Sequence, residues 1–264
     1  MNEFGITQQG YQGAYALPRE IFIKDTHGVV HDPSNDIPGN SRYIHHTNGS
    51  WTASTLGVRP APDVVAGLHR GANNTKYPCG KRTCAPKEVV LPRKLSQSYQ
   101  FDVSIERTNG TAGVTIGASP NREEYTNIYF DPARNTIGVD RAHSSLIKEF
   151  SNTSHVGYFE PYRFKRGGGE AIAESIQMSV FVDGSLVEVY VNDRFALTTR
   201  IYPSREDSRG IALFADAGVA VEYSHVEVWD GLLNVWPNRP QNSSSQLVFD
   251  TPDATGDYHW WAGN

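Results

Sequence analysis

Residues 176–203 read IQMSVFVDGSLVEVYVNDRFALTTRIYP. Ile176, Met178, Val180 and Val182 alternate with Gln177, Ser179, Phe181 and Asp183, the period-two pattern of a strand with two unlike faces. Asp183-Gly184 follows, a strong hairpin signal because both residues tolerate positive φ. The next run sets Val187, Val189 and Val191 on one side and Leu186, Glu188 and Tyr190 on the other. Asn192-Asp193 turns the chain into Ala196–Ile201, and Pro203 ends that strand because it has no N–H to donate. The stretch predicts a β-meander.

Outward from this meander the strand signals stay regular. Runs at Tyr99–Glu106, Gly113–Ala118, Tyr125–Asp131, Thr136–Asp140, Ser145–Phe150 and Tyr158–Phe164 precede it. Gly210–Ala215 and Val219–Trp229 follow it. Short strands at a spacing of roughly 8–12 residues predict an all-β domain, an antiparallel β-sandwich, over residues 96–232. In the last run Val221 and Tyr223 have odd parity but Val226 and Val228 even, which predicts a bulge near Ser224-His225. No helix longer than a turn or two is evident.

The flanks differ in composition. YALPREIFI, Tyr15–Ile23, reads as one strand with Ile21 and Ile23 on the same face, within an N-terminal piece at 1–24. Residues 25–95 are rich in Pro, Gly, Asn, Thr and His and read as a linker plus insertion, with Val64-Val65 and Val89-Val90-Leu91 as short strands. His27 and His31 are four apart, but Gly28, Val29-Val30 and Pro33 argue against the helix that would put them on one face, and His45-His46 lack a third ligand at metal spacing, so no metal site is expected. The tail, 233–264, carries Trp236, Trp260 and Trp261 among polar residues, which predicts that it is tied down by burying those rings.

The net charge of −5, without long runs of one sign, argues against nucleic acid as partner. No stretch has the length of a membrane span. Sequons at Asn48, Asn73, Asn109, Asn152 and Asn242 point to a secreted glycoprotein. Cys79 and Cys84 frame a C-x4-C loop that reads as a small disulfide. The first ten residues hold no apolar h-region. Together these lead to the expectation that the chain begins inside a larger secreted protein.

The meander at Ser179–Pro203 resembles the C-terminal β-sandwich of glycoside hydrolase family 32, the invertases, inulinases and related fructan-cleaving enzymes. TIGVDRAHSS, Thr136–Ser145, resembles a second motif of that module at Val139-Asp140-Arg141. Leu17-Pro18-Arg19-Glu20 resembles the strand that closes the family's catalytic propeller. The tail through Trp236-Pro237 resembles the extended ends of secreted fungal members.

This resemblance implies an N-terminal extension left over from a β-propeller, followed by an antiparallel β-sandwich of the concanavalin-like jelly-roll kind. The implied partners are the missing catalytic propeller domain and fructan or another carbohydrate. A homodimer is a further reading, and no cofactor is implied. Retaining hydrolysis in the family uses an aspartate nucleophile and a glutamate acid/base. The Asn-Asp-Pro-Asn-Gly, Arg-Asp-Pro and Glu-Cys motifs that hold these groups do not occur in this chain, so no catalytic residue is expected. Asp140, Arg141, Asp183 and Glu188 are the charged residues within the matched motifs. They are candidates for lining a groove against sugar hydroxyls, with structural turn and ladder roles as the alternative.

Overall fold

Why the meander forms is visible in its two faces. In the computed structural model, which describes residues 13–30, 41–77, 90–91, 95–165 and 169–233, Ile176–Asp183 (β13), Leu186–Val191 (β14) and Phe195–Arg200 (β15) pair antiparallel in sequence order. Met178, Val180, Val182, Val187, Val189 and Val191 all face one core. The first hairpin is tighter than the sequence suggests. Asp183 pairs with Leu186, so the two-residue loop is Gly184-Ser185, with Gly184 at φ +54°. Glycine at the first central position is what such a loop needs. In the second turn both Asn192 and Asp193 are left-handed.

β13 also pairs with Ser98–Thr108 (β6), which pairs with Val221–Asp230 (β17), and Asn73–Lys76 (β4) closes that edge. The resulting six-stranded sheet faces a second one. The second runs in the order His155–Tyr158 (β10), Thr136–Asp140 (β9), Thr126–Asp131 (β8), Ala112–Ala118 (β7), Gly210–Ala215 (β16) and Val90–Leu91 (β5). Both layers are antiparallel, and the apolar residues between them form one continuous core. This is the predicted β-sandwich. Tyr223 is 1% exposed and spans it: its hydroxyl lies 2.8 Å from the Gly113 carbonyl and 2.7 Å from that of Phe214. The register of β17 against β6 shifts between Glu222 and His225, at the predicted bulge.

The chain before the sandwich is not structureless. Arg19–Val29 (β1) is longer than its apolar part and pairs with Trp51–Pro60 (β3) along its length. Arg42–His45 (β2) flanks β3, and two strands from within the sandwich region, Arg163–Lys165 (β11) and Ala171–Ala173 (β12), continue past β1. The third sheet thus has the order β12-β11-β1-β3-β2. Val64-Val65, read as a strand, lies in the helix Pro62–Leu68 (α1), started by a proline at its first turn.

Two other expectations are corrected. Ser145–Phe150 forms turns rather than a strand: the Ser145 hydroxyl accepts the Ile147 N–H, and Phe150 is drawn into a stack on Tyr202, with ring centroids 4.2 Å apart. Tyr158–Phe164 is not one strand. It divides between β10 and β11, because Pro161 interrupts any ladder and Phe159 turns into the core. By internal packing the chain divides into Met1–Leu233 and Asn234–Asn264. The second unit, with its tryptophans and Asn242, lies outside the described residues, as do His31, Cys79, Cys84 and Val89.

The sandwich is sensitive where backbones meet. A Cβ built on Gly113 would lie 2.0 Å from the Ile128 carbonyl oxygen. Gly113→Ala is expected to destabilise the domain by about 3 kcal/mol or more. A denaturant titration measures this directly.

Candidate functional site: the seam between the third sheet and the sandwich

On β14 the outward-facing residues are Glu188 and Tyr190, and both are buried. Glu188 is 2% exposed, so its carboxylate needs partners. It finds them in the segment that leads into β1. The Leu17 N–H donates to Oε1 at 2.7 Å, and Arg19 Nη2 donates to Oε2 at 2.9 Å. The Tyr190 hydroxyl donates to Oε2 at 2.7 Å and itself accepts from Arg19 Nε at 2.8 Å. Arg19 also donates to the Thr198 hydroxyl of β15. Burial, then the Glu188 carboxylate, push the Tyr190 hydroxyl well above the ordinary phenol range. Burial acts against the charge of Arg19, but its bonds to Glu188 and Tyr190 outweigh it and raise its pKa. The group is therefore a fixed ion pair with a neutral phenol beside it.

The seam continues toward the Asn192-Asp193 turn. The Asp193 carbonyl accepts the Val58 N–H at 2.9 Å, and the Asp193 carboxylate pairs with Lys24 at 3.2 Å. Asn192 holds the turn itself: its side chain accepts the Gln177 N–H at 2.7 Å and donates to the Ser175 carbonyl at 2.9 Å. Arg194 pairs with Glu174 and lies over the Tyr162 ring, 3.8 Å from its centroid. Beside Glu188, an apolar patch of Phe181, Tyr190, Leu68 and Leu232 takes up Leu17, Val64 and Val65.

The four charged candidates from the motifs are not brought together. Glu188 is committed to the seam. Arg141, 4% exposed, is on the opposite layer after β9, where it donates to the carbonyls of Ser151 and Thr153 and approaches His155. It holds the loop that carries the Asn152 sequon. Asp140 accepts the Ala142 N–H at 3.0 Å and the Ser154 hydroxyl at 3.1 Å. Asp183 is exposed at the end of β13 remote from the Asn192-Asp193 turn, and its side chain bonds none of the described residues. Of the sequons, Asn48, Asn73, Asn109 and Asn152 are exposed. The Asn48 side chain accepts from Ser50, and that of Asn109 from the Ala220 N–H. Among the histidines, His27 and His46 both contact the Thr52 hydroxyl, at 2.8 and 2.7 Å, while His45 lies against Trp51. No group of three metal-ligating side chains occurs among the described residues.

A second buried carboxylate escaped sequence reading. Glu124 is 0% exposed and accepts five hydrogen bonds. The donors are the N–H groups of Leu146, Ser204 and Arg205 and the hydroxyls of Ser204 and Ser208. Burial alone raises its pKa; the Ser204 and Ser208 hydroxyls and the Ser204 and Leu146 amides outweigh burial and hold it below the usual carboxylate range. Glu124 thereby binds together three connections, those after β7, β9 and β15. Its one sequence signal is a Glu in a turn beside a strand, which is commonplace.

The class of protein follows from this fold together with two comparisons. Residues 70–230, well over half of the chain, match the family model described as "Glycosyl hydrolases family 32 C terminal", and the chain belongs to that family. Over 90% of its length it superposes on the crystal structures of A. japonicus CB05 and of the wild-type fructosyltransferase from A. japonicus, each at 26% identity and TM-score 0.81. It covers 39% of each of those chains, so it spans well under half of the proteins it resembles. The Aspergillus kawachii β-fructofuranosidase complexed with glycerol shares the fold at 24% identity and TM-score 0.79, covering 89% of this chain and 40% of that one. No curated protein matches the chain.

Two outcomes are expected from the buried carboxylates. Arg19→Ala leaves Glu188 without its countercharge and should cost about 2 kcal/mol, less than a fully buried pair because Arg19 is partly exposed. A double-mutant cycle with Glu188→Gln reads the coupling. The folded pKa of Glu124 lies below its unfolded value, so its stabilisation is present above the ordinary carboxylate range and is lost as pH falls through the folded value. Glu124→Gln should lower the melting temperature at pH 7, and the gap from the unsubstituted chain should narrow below about pH 4.3.

Proposed function

We propose that this chain is the C-terminal, non-catalytic portion of a secreted family 32 fructosidase, and that it braces a catalytic propeller. The parent activity on this reading is cleavage or transfer of β-fructofuranosyl groups of sucrose, inulin or levan. One observation carries the reading: Leu17 and Arg19, in the segment that resembles the propeller's closing strand, are held by Glu188 and Tyr190 of the sandwich.

The third sheet supports it. Ile21 and Ile23 of β1 and Leu56 of β3 lie on one face, with Ile23 opposite Leu56 and Ile21 opposite Val58. They are 60%, 77% and 64% exposed. Three large aliphatic side chains adjacent on one sheet face form a surface suited to another packed layer. A further propeller blade is the layer this reading supplies. The A. japonicus fructosyltransferase, at 26% identity, supports fructosyl chemistry for the parent. The absence from the sequence of the family's carboxylate motifs supports a chain that does no chemistry alone.

Purified chain incubated with sucrose or inulin is expected to release no fructose. Sugar release would overturn the non-catalytic reading. The bracing role is read separately by sedimentation: Ile21→Ser/Ile23→Ser should reduce self-association of the isolated chain without lowering its melting temperature. A chain whose self-association is the same with and without the substitutions would argue against a face built to be covered.

A further inference from the structure

A cleft of about 880 Å³ opens at the end of the β13–β14 hairpin remote from the Asn192-Asp193 turn. Its volume is within the usual range of a small-molecule site, roughly 300–1,000 Å³. The floor is apolar and aromatic. Tyr99, Val182 and Ile201 line it, with Phe150 and Tyr202 stacked on each other at an interplanar angle of 11°.

The wall formed by Ser204–Ser208 is not a loose loop. Glu124, fully buried beneath it, takes the Ser204 and Arg205 amides and the Ser204 and Ser208 hydroxyls. The same carboxylate takes the Leu146 amide of the connection that supplies Ile147 and Phe150. Arg205 is further fixed by Asp207 at 2.8 Å and Glu123 at 2.8 Å. One buried anion thus holds two sides of the cleft in a single geometry, and little ordering remains for a ligand to impose.

The rim, by contrast, is uncommitted. The side chains of Gln97, Asp183, Glu206 and Arg209 line the cleft and make no hydrogen bond or ion pair with the described residues. Carboxylate, amide and guanidinium groups of both donor and acceptor kind surround an apolar floor. A free anion would meet Asp183 and Glu206, and an apolar ligand would leave all four groups unpaired on its surface. A neutral polyhydroxylated ring satisfies both parts, since its hydroxyls both donate and accept while its C–H faces rest on the floor.

We propose that this cleft is a binding site for a neutral saccharide of one or two rings, with Asp183 and Arg209 as hydroxyl-binding residues. The site is independent of the bracing role: it lies at the end of the hairpin remote from the Asp193 contact, and it requires no propeller. Calorimetric titration of the full chain with sucrose, fructose and maltose tests it. Saturable binding of at least one sugar is expected, weakened about tenfold or more in Asp183→Asn and in Arg209→Ala, as loss of a charged hydrogen bond implies. Circular dichroism checks that each variant is folded. If Asp183→Asn disturbs the turn, Arg209→Ala, on the rim, reads the same site. No saturable binding of any of the three sugars overturns the proposal, and so does binding that Arg209→Ala leaves unchanged.

Discussion

An ionised carboxylate in the middle of a strand, almost wholly withdrawn from water, has to be compensated where it stands. Glu188 is that group here, and its compensation comes from outside the sandwich. Leu17 and Arg19 reach it from the segment entering β1, and Tyr190 completes the set from its own strand. Removing the charge from solvent is tolerable only with all of these in place. The requirement therefore fixes where β1 begins. β3 follows β1 by antiparallel pairing, and the third sheet follows from both. One anion and its donors, together with the apolar patch that takes up Leu17, set the relation between the two parts of this unit.

The sequence reveals the fold best where one face of a strand is dry. β13, β14 and β16 alternate cleanly or carry unbroken apolar runs, and their bounds are legible to within a residue or so. β1 beyond Ile23 is not. Its Lys, Asp, Thr, His and Gly residues look like a connection, because only Val29 at its end is deeply buried; the pairing with β3 makes it a strand. Val64 and Val65 mislead for the opposite reason. Two adjacent valines suggest a strand, but a proline-started turn and a local apolar patch on the sandwich make them helical.

The site was legible in part. Glu188 and Arg141 stand out as charges inside matched motifs, yet periodicity cannot say what they face. Arg19 and Glu188 are separated by 169 residues, and only tertiary structure joins them. Glu124 was invisible: its donors come from two connections, each unremarkable alone, and it stands in a third. The structure also gives the meander's turns different duties. The Asn192-Asp193 end holds the third sheet, while the Asp183 end borders an open cleft. One compact motif thus serves as both fastening and rim.

The bond from the Val58 amide to the Asp193 carbonyl has a meaning beyond fastening. β2 accompanies β3 only from Trp51 to Ser54, so past that point β3 runs with one side unpaired by any described strand. Bare strand edges recruit other chains, and proteins suppress this with bulges, charges or covers. Here a left-handed turn from another layer sits on that edge and takes one of its amides, with Lys24 and Asp193 adding charge beside it. The Asp193 turn thereby caps that edge at Val58 and leaves one amide fewer for another strand to pair with.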